Sequence, residues 1–93
     1  MLDNQRETRT AHIQLASEGI LLVDIIEGSE ITIDDARENL QALASLSPES
    51  GWRVLVNISK IKSVTRECRA FAASQNTHKY IAQLALVVIP KVL

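Results

Sequence analysis

Three aliphatic runs of strand length, set apart by segments with helical spacing, restrict this chain to an α/β fold. They are Ile20-Leu21-Leu22-Val23-Asp24-Ile25-Ile26, the segment from Trp52 to Ile58 around Val54-Leu55-Val56, and the segment from Ala82 to Ile89. Runs this short, rich in β-branched residues, are strands, and nearly continuous apolar sequence marks a strand buried on both faces. A single helix between successive strands makes each connection a parallel crossover, right-handed in nearly all cases.

Upstream, Thr10-Ala11-His12-Ile13-Gln14-Leu15 alternates polar and apolar residues and reads as a half-buried edge strand. Ser17-Glu18-Gly19 is a turn signal, so this strand and residues 20–26 form an antiparallel hairpin. Residues 1–9 are polar and charged and read as a flexible N-terminus. The single domain then covers residues 10–93.

After the break at Glu27-Gly28-Ser29-Glu30, Thr32 is placed as a helix N-cap with Asp35 three residues on. The hydroxyl can accept an early backbone N–H, and Asp34 and Asp35 sit at the positive end of the helix dipole. Ile33, Ala36, Leu40, Leu43 and Ala44 recur at helical spacing to about Leu46, where Ser47-Pro48 stops the helix. A loop at 49–51 leads to the next strand. Thr65 caps a second helix, from Arg66 to about Gln75, whose apolar stripe is Val64, Cys68, Phe71 and Ala72. Asn76-Thr77-His78 ends it, and Pro90 stops the last strand. The predicted order is β-β-α-β-α-β, a mixed and mostly parallel sheet with an N-terminal antiparallel hairpin.

Composition narrows the function classes. Ten basic residues against eleven acidic ones leave a net charge of −1, without the basic excess of a nucleic-acid binder. Lys60, Lys62 and Arg66 are the one local excess, and a solvated loop edge accounts for them. The longest apolar stretch, Leu84 to Pro90, is too short to span a bilayer as a helix. One cysteine forms no internal disulfide framework, and the polar start carries no signal-peptide pattern, so a reducing cytoplasm is the expected setting.

No catalytic constellation emerges. His12, His78 and Cys68 lie far apart in no metal-ligand spacing. Cys68 falls on the apolar stripe of a helix and reads as a buried structural thiol. No Gly-x-Ser-x-Gly elbow and no Gly-rich phosphate loop is present, so neither a catalytic residue, a cofactor nor a metal is assigned. Asp24 is the odd polar residue of an apolar strand. Ligands of open α/β sheets gather beyond the carboxyl ends of parallel strands. That rule selects the loops at Glu27, Ser29 and Glu30 and at Ser59, Lys60, Lys62 and Ser63, together with Thr65, Arg66 and Glu67 at the helix start. The helix start could also receive an anion.

With these residues in place, the chain resembles the STAS group, the fold of bacterial anti-sigma-factor antagonists, and in particular small bacterial STAS-like proteins. The resemblance covers about residues 12–89. It rests on Gly19-Ile20-Leu21, Ile31-Thr32-Ile33-Asp34-Asp35-Ala36, Val54-Leu55-Val56-Asn57-Ile58 and Ala82-Gln83-Leu84-Ala85-Leu86-Val87-Val88. It implies a non-enzymatic regulatory or protein-interaction module whose partner is another protein. Many STAS domains carry a phosphorylated Asp-Ser-Ser-Gly segment. Here it falls on Thr65-Arg66-Glu67-Cys68, which lacks the serine, and the strand-end Asp of the group is Asn57. The alternative is a small ligand-binding protein or enzyme with its site at the same carboxyl edge.

Sequential parallel neighbours joined by right-handed crossovers place both helices on one face of the sheet. Apolar residues fall on both sides of the strands, so an exposed face this apolar calls for a cover. Either a second copy supplies it, making the chain a homodimer, or the chain lacks the C-terminal helix and strand with which its look-alikes continue.

Overall fold

The computed structural model describes residues 4–47, 51–74 and 79–88. The expected loop at 49–51 in part, the expected helix stop at 76–78 and the stop at Pro90 lie outside the described residues, and the second helix ends earlier than expected, at Ala72 rather than about Gln75. The fold is mixed α/β, with a mixed sheet and two helices. In chain order the elements are β1 (Gln5–Glu7), β2 (Ala11–Leu15), β3 (Ile20–Ile25), β4 (Glu30–Ile31), α1 (Ile33–Leu46), β5 (Trp52–Asn57), β6 (Ser63–Val64), α2 (Arg66–Ala72) and β7 (Ile81–Val87).

The main sheet runs β1-β2-β3-β5-β7. β1, β2 and β3 are antiparallel neighbours, and β5 and β7 add to β3 in parallel. The β2–β3 turn is tight. Ala16 N–H donates to the Ile20 carbonyl at 2.8 Å, and Glu18 and Gly19 both take positive φ, 63° and 74°. Glycine adopts that conformation freely, whereas a glutamate is held there by the turn.

Alternation in the strands decides what is buried. Leu21, Val23 and Ile25 of β3 are buried, as are Ala11 and Ile13 of β2 and Trp52 and Val54 of β5. They pack with Leu43 and Leu46 of α1 and Cys68 of α2 in one cluster, so both helices cover the same face. The alternate apolar residues of the central strands, Leu22 of β3 and Leu55 of β5, therefore face away from the core. Residues 20–26, expected to be buried on both faces, are buried on one: Ile20 and Leu22 are half-buried and Asp24 is exposed. Asp24 is thus an ordinary outward residue of a strand with one open face.

The open face is less apolar than the sequence suggests, because His12, Gln14, Asp24 and Arg53 share it with Leu22 and Leu55. The largest apolar exposure lies elsewhere. Leu84 and Leu86 pair in register with core-facing Val54 and Val56, yet they are 54% and 61% exposed. They sit on the helix side of edge strand β7, and a register shift at Trp52/Arg53 marks where that strand joins.

The N-terminal strand is the main addition to the sequence-based picture. Residues 5–7, expected to be flexible, pair with β2 as Gln5↔Gln14, Arg6↔Ile13 and Glu7↔His12. β2 is therefore an inner strand. Polar contacts tie this corner to α1. Arg6 Nε donates to Ser45 Oγ at 3.0 Å, and Asn39 bridges Thr8 Oγ1 at 2.5 Å and Thr10 Oγ1 at 3.1 Å. Arg9 Nε donates to Asp35 Oδ1 at 2.7 Å while Nη2 reaches Asp35 Oδ2 and the Glu30 carbonyl.

Asp35 closes the helix start as the sequence predicts. Thr32 Oγ1 accepts from Asp35 N–H at 3.3 Å, and Asp35 Oδ2 accepts from Thr32 N–H at 2.9 Å, a complete capping box. The Arg9 guanidinium beside it, with the Thr32 hydrogen bonds, holds the Asp35 carboxyl well below the usual carboxylate range, against the opposing effect of its burial. A depressed folded pKa gives stability that is full above the unfolded value of about 3.9 and is lost as pH falls through the folded value. Urea midpoints at about pH 7 and about pH 3 should therefore differ markedly in the wild type and much less in Asp35→Asn, which is already weaker at neutral pH. Equal pH sensitivity of the two proteins would show that Asp35 contributes none of it.

Candidate functional site

The two loops selected from the sequence meet through backbone hydrogen bonds. The short strands β4 and β6 pair in parallel, Glu30↔Ser63 and Ile31↔Val64, as a second, two-stranded sheet. Around it, Gly28 N–H donates to the Lys60 carbonyl at 2.9 Å and Lys62 N–H to the Ser29 carbonyl at 2.8 Å. Thr65 N–H donates to the Ile31 carbonyl at 2.9 Å. This ladder brings Glu27, Ser29 and Glu30 beside Ser59, Lys60, Lys62 and Ser63, and it delivers the chain to Thr65, Arg66 and Glu67. Two-residue strands carry too little pattern to be read from sequence, so the ladder was not foreseen.

Each turn has a local cause. Asn57 ends β5 by accepting from Ser59 N–H at 3.0 Å and Ser59 Oγ–H at 2.6 Å, a turn that asparagine forms readily. Gly28 has φ 77°, which lets the chain leave β3 sharply toward Lys60. Ile31 is buried in the core, with Ile61 and Val64 packed against it. Apolar anchors under the ladder leave the polar side chains outward.

The outer surface mixes signs. Glu27, Glu30 and Glu67 are exposed, and so are Lys60, Lys62 and Arg66; Ser29, Ser59 and Thr65 are half-buried. Thr65 is the N-cap of α2: its hydroxyl accepts from Cys68 N–H at 3.2 Å. α2 has only seven residues, and one of its first N–H groups is already engaged. That contact leaves fewer free N–H groups for the anion that the helix start is expected to receive. Burial, then the Asp35 charge, pushes the Cys68 thiol up from its ordinary value, which favours the protonated thiol over the thiolate. His12, the other singled-out group, is exposed on the open face with Nδ1 3.1 Å from Glu7 Oε1.

Among the described residues, no group of three or more His, Cys, Asp and Glu is placed to hold a metal ion. Among the same residues, no helix is long and apolar enough to cross a membrane. His78 lies outside the described residues.

The cap and the turn are separable by mutation. Thr65→Ala should lower stability by about 1 kcal/mol through the lost cap. Gly28→Ala should lower it by about 1–2 kcal/mol through its positive φ, since nothing lies within 4 Å of the added methyl. Chemical denaturation measures both, and an unchanged midpoint for Thr65→Ala would remove the capping role.

No curated protein and no solved structure matches the chain. A family model does match, over residues 13–93, from within β2 onward. With most of its length inside that match, the chain belongs to the family described as Domain of unknown function (DUF7793).

Proposed function

We propose that this chain is a non-enzymatic regulatory or protein-interaction module of STAS-like type, working as a homo-oligomer in the bacterial cytoplasm. Its partner-binding surface is the joined loop region of Glu27, Ser29, Glu30, Ser59, Lys60, Lys62, Ser63, Thr65, Arg66 and Glu67. The observation that carries this reading is the β4–β6 ladder. It holds two loops from the carboxyl ends of β3 and β5 as one rigid, exposed surface, where open α/β sheets present their sites. The surface is mixed in charge and rich in exposed side chains, which suits selective recognition of a complementary protein face.

The element order supports the STAS-like reading: an antiparallel hairpin, then two helix crossovers to parallel strands. At the position of the phosphorylated serine of STAS switches, this chain has Arg66-Glu67. A fixed carboxylate at Glu67 stands in for the phosphate charge and keeps the module in one binding state.

Photo-crosslinking in cells tests the surface. A crosslinker placed at Lys60 or Lys62 should trap a partner that a crosslinker at Gln41, on the outer side of α1, does not trap. The adduct should disappear when Glu30 and Glu67 are both changed to Lys. Glu67→Gln should weaken the same adduct several-fold, whereas an adduct indifferent to these changes, or formed equally at Gln41, would refute the assignment.

A further inference from the structure

We propose that two copies of this chain stack open face on open face with their strands antiparallel. This rests on the homo-oligomeric reading above and adds the surface and the orientation. Side chains of register partners point to the same side of a sheet, so the ladders sort the open face into three rows. Glu7, His12, Asp24 and Asn57 form the row at the carboxyl end of the parallel strands. Gln14, Leu22, Leu55 and Ala85 lie in the middle row. Ile20, Arg53 and Gln83 form the row at the other end.

Charge divides along the same axis. Glu7 is engaged with His12 at 3.1 Å, while Asp24 makes no ion pair among the described residues. Arg53, at the opposite end, donates to the Glu18 carbonyl and meets no carboxylate among the described residues. The face thus has an acidic end, a middle where Leu22, Leu55 and Ala85 lie beside Gln14, and a basic end.

Two kinds of two-fold axis bring this face onto its copy. An axis along the strands keeps each row over its own copy and so lays the acidic row on the acidic row, which like-charge repulsion opposes. An axis across the strands lays the Asp24 row over the partner's Arg53 row and the leucine row over itself. That axis keeps each strand over its own copy, so Asp24 of β3 lies over the partner's Ile20 with the partner's Arg53 one strand away, and the arrangement recurs twice, as a closed symmetric interface requires. Shape agrees with charge. Leu55 lines two shallow hollows of about 340 and 520 Å³, one toward Asp24 and one toward Arg53. Aligned sheets pack about 30° apart, which swings each Leu55 off its copy and into an adjoining hollow.

Sedimentation of the purified full chain over a concentration series tests the interface. The wild type should be a dimer that weakens with added salt. Leu55→Glu should abolish the dimer with an unchanged circular-dichroism spectrum. Asp24→Arg and Arg53→Asp should each weaken it about tenfold, and the double reversal should recover most of the loss. Should Leu55→Glu fail to fold, the charge reversals alone decide. Lys62→Glu, in the partner-binding loops, should leave the dimer intact. A wild type that stays monomeric overturns both this interface and the homo-oligomeric reading. A dimer indifferent to Leu55→Glu and to both reversals, or one broken by Leu84→Glu instead, overturns this interface alone.

Discussion

Asp35 joins three parts of the chain that are distant in sequence. Its backbone N–H and carboxylate complete the capping box of α1, and the same carboxylate receives the Arg9 guanidinium from the turn between β1 and β2. Arg9 also reaches the Glu30 carbonyl at the start of β4. A buried carboxylate is costly unless its lone pairs are filled, and here a backbone donor, a hydroxyl and a guanidinium fill them. The position of β1, the start of α1 and the entry to the β4–β6 ladder are consequently fixed against one another. The candidate site lies one ladder away from this junction.

The second constraint is that the helices cover one face only. Each apolar run supplies two rows of side chains, but only the row under α1 and α2 becomes core. The other row lies outside this core, beside polar neighbours from β1 and β2. Such a sheet tolerates Asp24 and Arg53 in the middle of hydrophobic strands because both point outward. The same one-sided arrangement leaves Leu84 and Leu86 uncovered on the helix side of β7, since α2 is short and lies toward α1.

Much of the fold was legible because its signals are local. Thr32 with Asp35, Thr65, Gly19 and the stop at Ser47 act within one turn of the backbone, and the structure has each where the residues place it. The candidate surface was legible in part. Parallel strands put their carboxyl ends together, so the loops after Ile25 and Asn57 had to be neighbours. The hydrogen bonds that lock them involve only backbone atoms and leave no mark in side-chain pattern. β1 was missed for a related reason: Gln5-Arg6-Glu7 has no apolar alternation, and its pairing follows from β2 offering a free edge and α1 offering Ser45.

The sequence by itself determined the four longer strands and the two helices, where the helices begin, and that the central strands run parallel. Side-chain periodicity, capping hydroxyls and the short reach of a single-helix crossover act over a few residues and suffice for that. Tertiary structure alone decided which half of each apolar strand became core. It also decided that residues 5–7 join the sheet and that Arg9 meets Asp35 across 26 positions. These outcomes depend on which surfaces the two helices cover and on contacts whose members are far apart in the chain. No local pattern encodes such contacts, because their free energy exists only once the layers have packed.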